Sequence, residues 1–229
     1  MVAMTSRPPR HAVRRPLAAL VVATVLLLAA GCGTASDPSP PAGVDGLTIP
    51  TPTPDPEDFV DEIDNPWLPL TPGASWTYRT GDGVAEVLSA ESGPEIEGVQ
   101  TTALPAPGGG TDYYAQDEAG NVWWLGREGE WRAGEGGAEA GIAMLARPRL
   151  GDGYLQAEPG PRAEIVALDG VTETEAGAFE DLLVIETTEP DGRVLRSHYA
   201  RDAGLVYRET VTGTPDETFD LVALVAGRA

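Results

Sequence analysis

Histidine and cysteine, which often act as bases and nucleophiles in enzymes, are scarce in this 229-residue chain. Beyond residue 31 there is one histidine, His198, so a serine–histidine–acid triad or a zinc site could use one imidazole at most. A three-residue turn that ends at Gly204 predicts His198 opposite Arg208, and Tyr199 opposite Tyr207, on adjacent strands. Because a neighbouring guanidinium disfavours the imidazolium that a general base must form, we do not expect His198 to be catalytic.

Carboxylates, in contrast, are abundant, since the chain has 36 acidic residues. Two facing acids could hydrolyse a glycan, although among so many acids such pairs also arise by chance. The sequence has neither the spaced oxygen ligands of a calcium loop nor a phosphate-binding glycine loop that opens a helix. A carboxylate-dependent glycan hydrolase stays open as the less favoured alternative. We expect no enzyme activity, no catalytic residue, no metal and no cofactor.

A cluster of large rings lies in the stretch YYAQDEAGNVWWLG, residues 113–126. Residues 117–120 end in glycine, as expected of a type I turn followed by a left-handed residue in a hairpin. This turn predicts four cross-strand pairs: Gln116–Val122, Ala115–Trp123, Tyr114–Trp124 and Tyr113–Leu125. Because side chains alternate along a strand, Tyr114 and Trp124 should share one face of the hairpin. Tyr113 and Trp123 should lie on the other face, so both faces carry rings.

A hairpin with two aromatic faces has two interpretations. The rings can fill the core, which a domain without disulfides needs, or one face can bind a ligand. All five tryptophans fall within a third of the chain, at Trp67, Trp76, Trp123, Trp124 and Trp131. This concentration keeps the binding interpretation open, and its candidate ligand-binding residues are Tyr114, Trp123, Trp124 and Trp131.

Short apolar runs, separated by turn residues every eight to twelve positions, position these rings. They predict strands at 75–80, 83–91, 96–104, 111–117, 121–126, 153–158, 162–170, 181–188, 193–200, 204–212 and 217–226. The one helical feature predicted beyond the N-terminal segment is a short turn near residues 142–146. The predicted fold is therefore mainly β, an antiparallel meander that forms an open curved sheet or a partly closed barrel.

The N-terminal segment predicts an export signal. Arginines precede an apolar run over residues 17–30, which is shorter than the ~20 residues of a membrane-spanning helix. Small residues then precede Cys32, as in the lipobox of bacterial lipoproteins, so we expect Cys32 to be lipidated, for example with palmitate. The alternative is an ordinary secretory signal with a chance cysteine. We predict a signal peptide over 1–31, the acylated Cys32 and a disordered Pro-rich tether over 32–58, and one β-rich domain over 59–229.

The charge of the chain restricts its partners. The formal net charge is −21, and removal of the signal peptide would take away four of the 15 basic residues. Such a surface should repel nucleic acid and anionic lipid headgroups, which bind basic patches. We therefore expect no nucleic-acid partner, attachment to the membrane through the lipid anchor, and a location at the extracellular face of the cell membrane.

Several blocks of sequence resemble a family of secreted lipoproteins from high-GC Gram-positive bacteria. They are FVDEIDNPWLPLTPGASWTY, YYAQDEAGNVWWLGRE, AGIAMLARPRLGDGYLQAEPG, AGAFEDLLVIETTEP and YARDAGLVYRE, spread over residues 59–212. The chain departs from the pattern by tryptophan at positions 67 and 124, where tyrosine or phenylalanine is expected. The resemblance implies the same cellular location and a β-rich domain, and it identifies no site residue in this chain. The AGAF and YARDAGLV segments also look like curved-sheet lipoproteins that carry hydrophobic ligands.

These observations favour a membrane-anchored, extracytoplasmic lipoprotein that acts as a non-enzymatic binding module. The partner would be a hydrophobic or glycan ligand or a protein of the cell envelope. The alternative is a structural role, as a spacer or assembly partner in the cell envelope. Free sheet edges or an apolar patch could bind the other envelope proteins in that role.

Overall fold

The computed structural model describes residues 55–106 and 109–227. The predicted signal peptide, the lipidation site Cys32 and nearly all of the predicted tether lie outside the described residues, so these assignments stay predictions.

The described chain consists of strands and one 3-10 turn, Pro56–Asp58. The strands are β1 (Phe59–Val60), β2 (Ser75–Thr80), β3 (Ala85–Ser89), β4 (Glu91–Ile96), β5 (Val99–Pro105), β6 (Thr111–Asp117), β7 (Val122–Arg127), β8 (Trp131–Arg132), β9 (Glu139–Met144), β10 (Gly153–Leu155), β11 (Ala157–Glu158), β12 (Arg162–Thr174), β13 (Gly177–Thr188), β14 (Val194–Ala200), β15 (Gly204–Thr212) and β16 (Thr218–Val225). No described residue belongs to a helix long and apolar enough to cross a membrane.

Two antiparallel sheets contain these strands. The first has the order β11-β9-β7-β6-β5-β4, with β1 added to β6 and β8 added to β7. The second has the order β10-β12-β13-β14-β15-β16-β2-β3, in which β12 to β16 form a meander. The predicted fold class is confirmed as mainly β, antiparallel and open. The sequence did not indicate that the strands divide between two sheets.

The two sheets are joined at two corners. β3 passes into β4 through Ala90 alone, and β10 passes into β11 through Gln156 alone, so at each corner a strand leaves one sheet and continues in the other. At the second corner β9 approaches very closely, because a Cβ at Gly141 would lie 2.6 Å from the backbone nitrogen of Ala157. A side chain at position 141 would therefore push the corner apart.

The second sheet is strongly curved. At the tip of the β12–β13 hairpin, the backbone N–H of Ala176 donates to the carbonyl of Leu221 in β16 at 3.0 Å. Beside it, Glu175 pairs with Arg79 of β2. The curvature thus brings the hairpin near one end of the sheet against strands near the other end. One apolar core contains side chains of both sheets, among them Met144 of the first and Leu183 of the second, each with no exposed surface.

The aromatic hairpin forms largely in the predicted register. Gly120 has a positive φ of 88°, as the turn requires, and the pairs Gln116–Val122, Ala115–Trp123 and Tyr114–Trp124 are confirmed. The prediction for Tyr113 is wrong, because a bulge follows and this residue pairs with Gly126 instead of Leu125.

The predicted register of the second hairpin is wrong. Its turn is placed one residue earlier, with Asp202 at a φ of +60° and Gly204 already paired to Ala200. A bulge then separates the pair Tyr199–Leu205 from the pair His198–Tyr207. As a consequence Arg208 lies opposite Ser197 and not opposite His198.

Most predicted strands are present, and three, at 75–80, 111–117 and 204–212, have the predicted bounds. The predicted helical turn at 142–146 is wrong, because residues up to Met144 form β9 and pair with β7. The predicted strand at 153–158 is two strands that bend apart at Gln156. Strand β4 was missed, since Gly93 and Pro94 lie within it and resemble turn residues.

Candidate functional site

A cavity of about 150 Å³ lies between the two sheets and is lined by side chains of both. The first sheet contributes Asp112, Tyr114 and Trp124, and the second contributes Trp76, Tyr78 and Tyr199. Because all six residues belong to strands, the hydrogen-bonded backbone of the two sheets fixes the positions of their Cα atoms.

Two of the four predicted ligand-binding residues line this cavity. Tyr114 and Trp124 are cross-strand partners, and their shared face forms part of the cavity wall. Trp131 does not line it but stands edge-on to Trp124, with ring centroids 4.9 Å apart, and so supports that ring from behind.

Trp123, the fourth predicted residue, lies on the opposite face of the hairpin. Its indole N–H donates to Asp117 at 2.8 Å, and the ring of Phe59 packs edge-on against it at 6.3 Å. On the same face, the guanidinium of Arg132 lies 5.7 Å from the ring centre of Tyr113. One aromatic face is therefore covered by the protein's own side chains, and the other borders the cavity.

Asp112 holds the cavity wall of the first sheet together. Its carboxylate accepts two bonds from Arg127, at 2.7 and 3.0 Å, one from the indole N–H of Trp124 at 3.1 Å and one from the hydroxyl of Tyr114 at 3.2 Å. Asp112 itself is 5% exposed. Both carboxylate oxygens are occupied, so Asp112 fixes the orientation of the two rings.

These contacts change the proton affinities of the wall. Burial alone would lower the pKa of Arg127, but the hydrogen bonds and charge of Asp112 outweigh it and raise that pKa above its ordinary value. Burial, helped by the charge of Asp112, raises the pKa of Tyr114 well above its usual value. Arg127 therefore stays charged and Tyr114 stays neutral at physiological pH.

Two rings in the wall of the second sheet, Trp76 and Tyr78, have polar atoms that are already hydrogen-bonded. The hydroxyl of Tyr78 donates to the carbonyl of Leu205 at 2.7 Å, and the indole N–H of Trp76 donates to the carbonyl of Ala203 at 2.6 Å. These side chains consequently offer the cavity apolar ring surface rather than unsatisfied donors.

Two further charged side chains line the cavity, Arg208 and Glu189. Arg208 donates from Nε to the hydroxyl of the buried Ser197 at 3.0 Å. Burial raises the pKa of Glu189, while the charges of Arg193, Arg127 and Arg208 act in the opposite direction. The sequence analysis missed Asp112 and Arg208. The two-residue spacing of Asp112 and Tyr114 does place an acid on the aromatic face, whereas Arg208 could not be found without the correct register.

Of the groups considered for catalysis, two carboxylates, Asp112 and Glu189, line this cavity, whereas the histidine does not. His198 is half-buried outside the cavity, its Nδ1 has no hydrogen-bond partner among the described residues, and its ring stands edge-on to Tyr207 at 5.6 Å. Burial lowers the pKa of His198, with Glu209 raising it and Arg196 lowering it further. Within residues 55–106 and 109–227, no cluster of three or more histidine, cysteine or acidic side chains is arranged to hold a metal ion.

Neither a family model nor a curated protein matches the chain. Two solved structures are similar to it. One is a "putative exported protein with YmcC-like fold" from Bacteroides fragilis, with a TM-score of 0.42, 14% identity and coverage of 70% of this chain and 99% of that one. The other is a "putative lipoprotein" from Parabacteroides distasonis, with a TM-score of 0.30, 12% identity and the same coverage. Because both TM-scores are low, we draw no functional conclusion from either likeness.

Proposed function

We propose that this chain is a lipid-anchored lipoprotein at the extracellular face of the cell membrane, and that its β domain binds a hydrophobic ligand without catalysing a reaction. The anchor would be the acylated Cys32, as in the secreted lipoproteins of high-GC Gram-positive bacteria that its sequence blocks resemble. The observation that carries the proposal is the cavity between the sheets, bordered by the Tyr114 and Trp124 face of the hairpin.

The size of the cavity limits what it can bind. A cavity of about 150 Å³ accepts a group the size of benzene, whereas sites for drug-sized molecules are usually ~300 Å³ or larger. The ligand is therefore a small molecule, or a longer one that inserts one apolar end. Rings on both walls would contact the inserted group.

The chemistry of the cavity supports binding rather than catalysis. A glycan hydrolase needs one carboxylate free to attack or to activate water and another to donate a proton. Asp112 lines the cavity, but four hydrogen bonds occupy its oxygens, so it is a poor nucleophile and a poor base. Glu189 also lines the cavity, but with the oxygens of Asp112 occupied it has no free partner carboxylate, and His198 lies outside the cavity.

Tryptophan fluorescence tests this proposal. The full chain, reconstituted in lipid nanodiscs, would be titrated with a lipid extract and, separately, with a glycan fraction of the producing organism. We expect the lipid extract to shift the emission and to reduce acrylamide quenching. Trp124→Phe should diminish the change, because Trp124 borders the cavity. Trp123→Phe is the matched control and should preserve it, because Trp123 lies on the opposite, covered face.

Two results would contradict the proposal. If neither extract alters the emission, the cavity does not take such a ligand and the search should turn to protein partners. If the response survives Trp124→Phe but is lost in Trp123→Phe, the ligand binds elsewhere on the domain.

A further inference from the structure

Arg208 differs from four other arginines of the domain, which pair with carboxylates. Arg79, Arg127, Arg193 and Arg196 each form an ion pair with a carboxylate. Within residues 55–106 and 109–227, no ion pair includes Arg208, although the chain has 36 acidic residues. Its one hydrogen bond there is from Nε to the hydroxyl of Ser197.

This unpaired guanidinium borders a cavity that aromatic rings and polar side chains line together. Arg208 is half-buried and lines the cavity, so its charge has lost part of its water without gaining a carboxylate. Such burial is unfavourable unless an anion is supplied. A guanidinium has five N–H donors in a planar fork, and the bond from Nε to Ser197 leaves the others for a partner.

Tyr199 offers a second donor in the same cavity as Arg208. Ser197 and Tyr199 alternate on the same face of β14, and both line the cavity with Arg208. In the described part of the chain, the hydroxyl of Tyr199 makes no hydrogen bond that would occupy it. A ligand oxygen placed between the two groups could therefore accept from both.

Glu189 does not fill this role. It lines the same cavity, and the charge of Arg208 stabilises its ionised form, but the two side chains do not form an ion pair. Burial acts against ionisation of Glu189. A ligand that carries its own anion would complete the pairing of Arg208 better than this internal acid does.

We infer that the ligand is an amphiphile with one anionic oxygen headgroup, a carboxylate or a phosphate monoester, that binds Arg208 and Tyr199 while its apolar end lies against Tyr114 and Trp124. This inference rests on the proposed function and specifies its ligand class. Both headgroups match the two-pronged geometry of a guanidinium.

A set of ligands with one chain length and different headgroups tests the inference. The full chain in nanodiscs would be titrated calorimetrically with octanoate, octyl phosphate, octanol and inorganic phosphate, with empty nanodiscs as the blank. We expect at least one of the two anionic amphiphiles to bind roughly tenfold or more tightly than octanol, since a hydrogen bond to a charged group is stronger than a neutral one.

Three variants separate the headgroup site from the fold. Arg208→Gln should remove the preference for the anionic amphiphile over octanol, and its urea unfolding curve, compared with that of the unaltered protein, shows that the domain has folded. Tyr199→Phe, which keeps the ring, should reduce the preference in part. Arg196→Gln is the matched control and should leave the preference intact, because Arg196 neighbours Ser197 in β14 but points to the opposite face.

The outcomes distinguish the two levels of the proposal. Equal affinity for octanol and for both anionic amphiphiles would overturn the headgroup inference and leave the binding function standing. Absence of binding by every amphiphile would overturn both. Binding of inorganic phosphate as tight as that of octyl phosphate would show an anion site without an apolar subsite, which contradicts the amphiphile class. Preference for octanoate or for octyl phosphate identifies the headgroup.

Discussion

Replacing Asp112 by asparagine removes one charge and should strongly lower the free energy of unfolding of the domain. The change leaves the guanidinium of Arg127, 29% exposed, without its carboxylate, and it weakens the bonds from Trp124 and Tyr114. Removing one partner of a buried pair typically costs about 3–5 kcal/mol. Since Arg127 keeps some contact with water, we expect a loss of about 2–4 kcal/mol, or roughly 5–15 °C in Tm for a domain of this size.

Urea unfolding followed by tryptophan fluorescence measures this loss, with Glu175→Gln as the matched control. The pair Arg79–Glu175 has the same two-bond fork as Arg127–Asp112, but its side chains are 44% and 46% exposed. Exposed pairs contribute little because water and salt screen them, so Glu175→Gln should have a much smaller effect than Asp112→Asn.

Equal effects of the two amide substitutions would refute the reasoning, because burial would then not distinguish the pairs. A double-mutant cycle adds a second check. If Asp112→Asn acts by leaving Arg127 unpaired, adding Arg127→Gln should recover part of the lost stability. A strictly additive double variant would show that the two side chains do not act together.

Three further substitutions test other parts of the molecule. Cys32→Ser should abolish incorporation of labelled palmitate and release the chain from membranes; label retained in the variant would exclude Cys32 as the anchor. Glu189→Gln should raise the Tm near neutral pH, because burial raises the pKa of Glu189 in the fold and its ionised form is disfavoured. The gain should vanish as the pH falls below the ordinary carboxyl range, and a gain independent of pH would contradict this. Gly141→Ala should cost about 1–3 kcal/mol in urea unfolding, because the added methyl group overlaps the Gln156 corner. Gly81→Ala is the control and should be nearly neutral, because the nearest atom to its added Cβ would lie 3.8 Å away.

The aromatic hairpin was predictable because its signals are local. The turn glycine and the lengths of the two strands specify the same register, and three of four predicted pairs are present. The exception at Tyr113 is a bulge at Leu125, next to Gly126, which also pairs with Arg132 of β8, and the hairpin sequence does not indicate this third strand.

The register of the second hairpin could not be predicted from the sequence. Nothing in its pattern indicates that Asp202 adopts a positive φ or that a bulge interrupts the strand pair beyond it. This shift determines which side chain stands opposite Arg208, so the cavity wall could not be deduced from the sequence. Strand β9 was misjudged for a related reason, since Gly141 is required by its contact with the Gln156 corner, which is distant in sequence.

The pairing of β16 with β2 affects how the protein can be made. Trp76 pairs with Leu224, so the second sheet joins two strands separated by most of the domain sequence. A chain that is being synthesised cannot complete this sheet until β16 has been made, and closing so long a loop slows folding. Until that moment the edge of β2 is unpaired and open to proteases or to pairing with other chains. Completion of the fold is therefore effectively all-or-none, and a chain truncated before β16 should be degraded rather than accumulate.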